Sequence, residues 1–118
     1  MHRGRNVATV LLSSQLALAQ FTQQGPKLVG TGTAGGAGQG LSVALSGDGN
    51  TAIVGGPDDN SGAGAAWVFT RSGGVWTQQG TKLVGTGAIG AAMQGYSVSL
   101  SADGNTPYPV TIAITNTR

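Results

Sequence analysis

From Leu41 the chain alternates apolar and small polar positions with a period of two: Leu41, Val43 and Leu45 fall on one side of LSVALS, and Ser42, Ala44 and Ser46 on the other. That period predicts a β-strand, and TAIVGG, Thr51 to Gly56, reads as its neighbour. Between them stands Gly47-Asp48-Gly49-Asn50, and Asp-Gly between two such runs predicts a tight hairpin, because the turn needs positive φ. After the loop PDDNSGAG come AAWVFTR, Ser72-Gly73-Gly74 and VWTQQGTKLV, which predict a second hairpin. Leu41 to Val84 therefore forms an antiparallel meander of four strands. Trp67 and Phe69 share one face of the third strand, with Trp76 on the fourth, and each such ring buries roughly 150–250 Å². They are the expected core anchors. The small residues on the other face of LSVALS would let a neighbouring sheet approach closely, where a solvated face would more often carry Lys or Glu.

A second regularity overlies the first. FTQQGPKLVGTGTAGGAGQGLSVALSGDGNT, from Phe21, matches WTQQGTKLVGTGAIGAAMQGYSVSLSADGNT, from Trp76, at about two-thirds of positions with a constant offset of 55 residues. A fixed period of this length means a supersecondary unit stacked on copies of itself. The repeat also decides how to read its glycines. Gly30, Gly32 and Gly35 satisfy the G-x-G-x-x-G spacing of a dinucleotide loop, and Gly85, Gly87 and Gly90 repeat it. Such a loop needs a helix after it to hold a pyrophosphate, whereas strand-like LSVALS and YSVSLS follow here, and no G-K-[ST] occurs. The glycines are expected to steer a linker between repeated sheets, where a missing Cβ permits tight reversals.

Composition narrows the class. With 22 glycines, 8% charged residues and no Glu in 118 residues, surface helix formers are nearly absent. The net charge of +2 owes its sign to Arg3 and Arg5. Lys27, Arg71, Lys82 and Arg118 balance Asp48, Asp58, Asp59 and Asp103, leaving no basic stripe for nucleic acid. The chain has no cysteine, which excludes disulfide frameworks and thiolate metal sites. Met1 to Ala19 has a basic start, an apolar middle from Val7 to Leu18, and an Ala17-Leu18-Ala19 ending, the three parts of a secretory signal. Its middle is too short for a membrane span, so the mature chain is expected to carry none.

Catalytic signals are weak. Ser42 and Ser97 follow glycines, but a nucleophile elbow needs a strand-to-helix turn and a base, and the lone histidine, His2, lies in the expected signal. Asp58 and Asp59 are adjacent carboxylates, whereas glycosidase carboxyls flank one bond about 5–10 Å apart. With Asn60 they could contribute to weak cation or sugar binding; the alternative is a solvated turn made of ordinary turn residues. Trp67 and Trp76 would stack on sugars if exposed and otherwise belong to the core. No catalytic or cofactor-binding residue is assigned.

QGLSVALSGDGNTAIVGGPDDNSGAGAAWVF, Gln39 to Phe69, and the partial copy QGYSVSLSADGNT, Gln94 to Thr106, resemble the FG-GAP repeats of integrin α-chain β-propellers, especially those of bacterial secreted proteins. The resemblance implies a radial propeller of about seven blades used extracellularly for adhesion or ligand recognition. Such repeats often hold calcium in a D-x-[DN]-x-D-G-x-x-D loop. Aligning Asp48-Gly49 with its D-G puts Ala44, Ser46 and Ala52 at the other ligand positions, and calcium needs six to eight oxygens. Asp48 and Asp103 are therefore expected to be turn residues, with Asp48, Asp58, Asp59 and Asn60 kept as weak metal candidates and calcium as the one conceivable cofactor.

The expected organisation is all-β, an incomplete propeller fragment of four-stranded antiparallel blades. It comprises a signal over 1–19, the outer strand of a preceding blade near Phe21 with a glycine-rich linker over 20–40, one complete blade over 41–84, and a linker with a partial next blade over 85–118. After Thr106, PYPVTIAITNTR replaces the expected AIVGG; Pro107 and Pro109 cannot donate ladder hydrogen bonds, while Val110, Ile112 and Ile114 could alternate in an edge strand. The expected role is a non-catalytic secreted or cell-surface module with structural, adhesive or ligand-binding roles. Its expected partners are other copies, through blade edges, and an extracellular protein or glycan. The alternatives are a truncated product without independent function and, more distantly, part of a secreted carbohydrate-active protein.

Overall fold

The structure, a computed structural model, describes residues 21–101 and the strand Ile112–Thr115. The expected signal and residues Asp103, Pro107, Pro109 and Val110 lie outside the described residues. Four strands form one antiparallel sheet in the order β1-β2-β3-β4: β1 Ser42–Leu45, β2 Thr51–Gly56, β3 Ala65–Ser72 and β4 Val75–Gln78. The fold is all-β as expected, and the meander of the sequence is the meander observed.

Local chemistry closes the β1–β2 hairpin. Gly49 takes φ 74°, and its N–H donates to the Ser46 carbonyl at 2.9 Å. The Ser46 hydroxyl donates to Asp48 Oδ1 at 2.7 Å and accepts from the Thr51 N–H at 3.0 Å. The register Val43↔Val54 and Leu45↔Ala52 follows. At β3–β4 two adjacent glycines, Gly73 and Gly74, take φ 57° and 78°, as a primed turn requires. The predicted fourth strand is interrupted. β4 stops at Gln78; the Gln79 N–H still donates to the Val68 carbonyl at 2.7 Å, and the chain pairs with β3 again where Leu83 and Ala66 exchange backbone hydrogen bonds at 2.7 and 3.0 Å.

Cross-strand partners share a face, so the register sorts the core into two clusters. On one face Trp67 and Phe69 are buried with Ala37 and Ala65, and Val54 and Trp76 pack against them. The first glycine-rich segment covers this face: the fully buried Trp67 indole donates to the Thr31 carbonyl at 2.8 Å, and a Cβ added at Gly30 would collide with the indole ring. On the other face Ile53, Ala66 and Val68 are buried, with Ala44, Leu83, Val98 and Leu100 packed against them. Val98 and Leu100 arrive on β5, Ser97–Leu100, the repeat of β1. The small side of β1 thus does admit a second sheet.

One feature was not anticipated from the sequence, and one expectation fails. β1 turns its larger apolar side chains to solvent: Leu41, Val43 and Leu45 are 60%, 66% and 63% exposed. The glycine-rich segment that covers Trp67 does not extend across β1. The outer strand expected near Phe21 does not form; residues 21–40 contain turns but no strand, and Phe21 is 88% exposed. Its repeat counterpart Trp76 is in a strand because β3 lies beside it, paired Arg71↔Trp76, whereas the described residues offer Phe21 no such neighbour.

β5 pairs with β6, Ile112–Thr115, in the register Val98↔Ile114 and Leu100↔Ile112. This repeats Val43↔Val54 and Leu45↔Ala52 with a longer connection. The strand expected around Ile112 and Ile114 is present, beyond the two prolines.

Candidate functional site

The two ends of the sheet hold different groups. Asp48 lies in the β1–β2 turn. Asp58, Asp59 and Asn60 lie beyond the far end of β2, six residues of strand away, or about 20 Å. The four weak metal candidates are not brought together, and among the described residues no group of three or more His, Cys, Asp or Glu side chains could hold a metal. Asp48 acts within its turn, accepting from Ser46 and from the Asn50 N–H at 3.0 Å. The Ser46 bond first, and then the Asn50 bond, hold its carboxyl below the usual range.

The β2–β3 loop divides the adjacent carboxylates. Asp58 is exposed, while the Asp59 side chain is 1% exposed. Between Asp59 and Gly62 the chain makes one short turn in which Asn60 and Ser61 take left-handed φ of 50° and 57°. Asp59 Oδ1 accepts from the Ala34 N–H at 2.8 Å, and Oδ2 meets Lys82 Nζ at 2.6 Å. Burial alone would raise this carboxyl; the Lys82 hydrogen bond, the Ala34 N–H and the Lys82 charge outweigh it and leave the carboxyl below its ordinary value. Asp59 therefore ties together the first glycine-rich segment, the β2–β3 loop and the chain after β4. Sequence reasoning missed this bracket, although the recurrence of Lys27 as Lys82 was a signal for it.

A second device appears twice. The Gln39 side chain spans the first glycine-rich loop, accepting from the Gly30 N–H at 2.6 Å and donating to the Gly30 carbonyl at 3.0 Å. Gln94 does the same to Gly85, at 2.6 and 3.4 Å. Two amide bonds fix the ends of each loop, nine positions apart in sequence, so G-x-G-x-x-G here is a closed loop leading into a strand. In the first copy the Gly30 N–H is taken by Gln39 and the Ala34 N–H by Asp59, and an incoming phosphate would meet the Asp59 carboxylate.

The remaining chemistry-bearing residues are placed as follows. The Ser42 hydroxyl donates to the Gly95 carbonyl at 2.8 Å, joining β1 to the second repeat, and Ser97 is exposed on β5. Trp67 is core. Trp76 is half-buried: Arg71 lies 5.6 Å over its ring, its indole N–H donates to Gln24 Oε1 at 3.2 Å, and it lines a cavity of about 150 Å³ with Gln24, Pro26, Leu28 and Val75. Of the two tryptophans only this one offers a ring face near solvent. Among the described residues no helix is long and apolar enough to cross a membrane. Comparison with protein-family models, curated proteins and solved structures finds no match.

Proposed function

We propose that the chain is a non-catalytic extracellular repeat module, a propeller-type blade with part of the next, serving a structural, adhesive or ligand-binding role. The observation that supports this reading is the way one repeat seats on the other. β5 lays Val98 and Leu100 against Ile53, Ala66 and Val68, and the Gln-to-Gly clasp that sets the approach of β5 is the one that sets the approach of β1. A sheet whose small-residue face receives the opening strand of its own next copy is built for serial stacking. The polar groups argue the same way, since Asp48, Asp59, Gln39 and Gln94 are spent on turns and clasps. A ligand-binding role would use the Trp76 cavity, where an aromatic face beside Arg71 suits a sugar or a peptide.

The test combines export and folding. The chain expressed with residues 1–19 in a bacterial host is expected outside the cytoplasm, shortened before Gln20, and the purified product is expected to melt cooperatively. Cytoplasmic retention would remove the extracellular half of the reading. A broad, non-cooperative melt would favour a product without independent function.

A further inference from the structure

Leu41, Val43 and Leu45 form an exposed apolar strip on an edge strand, with none of the described residues covering it, and the same chain shows what such a strip packs against. Val98 and Leu100 are the counterparts of Val43 and Leu45 at the 55-residue offset, and they are seated on Ala44, Ile53, Ala66, Val68 and Leu83. We propose that the β1 strip docks in that same seat on a second copy of this chain, in place of the copy's own β5, and so joins copies head to tail. The proposal rests on the repeat-module reading.

Three observations carry it. First, β1 is presented as β5 is. Gln39 and Gln94 make equivalent clasps, and Gly40 and Gly95 follow them with similar φ of 95° and 86°. Second, the seat is cut for such a strand and its glycine. A Cβ at Gly95 would collide with the Ala65 carbonyl, one at Gly55 with the Gly95 carbonyl, and one at Gly64 with the Gln94 backbone. The Met93 and Gln94 N–H groups then donate to the Gly62 and Ala63 carbonyls at 2.7 and 3.0 Å. Gly40, with the same backbone shape, has open space where Gly95 meets that wall. One counterpart is docked and the other is not. Third, β1 is held in a four-stranded sheet whereas β5 belongs to a two-stranded hairpin, which is marginal alone. The β1 strip is the better organised of the two.

A tethered hairpin competes at an effective concentration of about millimolar, so exchange needs high protein concentration unless the hairpin is weakened. The contact joins two different faces, so it propagates and does not close into a symmetric dimer.

Sedimentation velocity over a concentration series tests this on the full chain. Val98→Asp with Leu100→Asp frees the seat and is expected to assemble at concentrations about ten- to a hundredfold below the unsubstituted chain, with a ladder of sizes. Adding Val43→Asp and Leu45→Asp is expected to abolish assembly. That fourfold variant, its seat open but its strip charged, should cap the unsubstituted chain as a one-to-one complex. A folded, monomeric Val98→Asp/Leu100→Asp variant overturns the proposal. Val43→Asp/Leu45→Asp alone changes only exposed positions, so persistence of association in that variant overturns it even if the β5 variant fails to fold. A cooperative melt of the unsubstituted chain without strip-dependent association sinks the docking and spares the module reading; a non-cooperative melt sinks the module reading itself.

Discussion

Alanine at Gly95 and alanine at Gly40 form a matched pair whose difference measures how tightly the second repeat is seated on the first. Both glycines hold positive φ, 86° and 95°, so both substitutions force an alanine into left-handed backbone at about 1–2 kcal/mol. Both also recover a few tenths to 1 kcal/mol by restricting the unfolded chain. Gly40→Ala stops there, because its new methyl meets nothing within 4 Å. A net loss of about 1 kcal/mol is expected. At Gly95 the methyl is driven into the Ala65 carbonyl with the Gly56 N–H 3.0 Å away, and backbone on both sides leaves no flexible side chain to yield. Overpacking of this kind costs about 1–3 kcal/mol more, and relief by lifting β5 would uncover Ile53, Ala66 and Val68 instead. Gly95→Ala is therefore expected to destabilise by about 2–4 kcal/mol in all. Urea unfolding of both variants, followed by the fluorescence of Trp67 and Trp76, reads the difference. Equal losses at the two positions would mean that β5 is not seated on the sheet as described, and the stacking argument would fall with it.

Lys82→Met should cost about 3–5 kcal/mol because it strands the buried Asp59 carboxylate; Asp59→Asn should cost less, since Lys82 is 24% exposed and can reach water. Because the folded carboxyl lies below its ordinary value, this contribution is complete above the ordinary carboxylate range and is lost as pH falls from that range through the lower folded value; Asp48, also lowered, adds acid sensitivity of the same sign. Asp59→Asn should therefore flatten the melting temperature between neutral pH and about pH 3, measured by circular dichroism. Gln39→Ala and Gln94→Ala each remove two amide bonds from a glycine loop and should each cost about 1–3 kcal/mol in urea unfolding; a neutral result at either position would show that the loops hold without their clasps. Trp67→Ala, which empties a fully buried site and frees the Thr31 carbonyl, should cost about 3–5 kcal/mol and release the first glycine loop to proteases, as limited proteolysis would show.

What the sequence made legible was local. Alternation at residues 41–46, Asp48-Gly49 between two runs, and Gly73-Gly74 before Val75 specify strands and turns through chemistry that operates within a few residues, and those elements stand where expected. The grouping of Trp67, Phe69 and Trp76 followed from the same period. What stayed hidden depends on partners far along the chain. Asp59 looks like any loop carboxylate until Ala34 and Lys82, 25 and 23 residues away, are brought to it. Gln39 looks like linker until its amide reaches back over nine residues. Phe21 matches Trp76 in sequence and differs in structure because a strand needs a neighbour to pair with, a condition that pattern alone does not contain.

The orientation of β1 follows from the same rule. A period of two says that Leu41, Val43 and Leu45 share a side, but which side meets protein is decided by what arrives there. Gly55 on β2 and Ala66 on β3 leave the opposite face shallow enough for the Gly95 carbonyl to reach the Ser42 hydroxyl, so the small side of β1 is the one that admits a strand. The strip on the other side then has no covering segment from its own repeat, because the first glycine loop is held over Trp67 by Thr31 and anchored at Ala34 by Asp59. Releasing that anchor would not bring the loop onto β1, since the Gln39 clasp fixes its length just before the strand begins. The exposed strip is thus a consequence of how the repeat closes its own linker, and the face that holds Val98 and Leu100 matches its two-residue spacing.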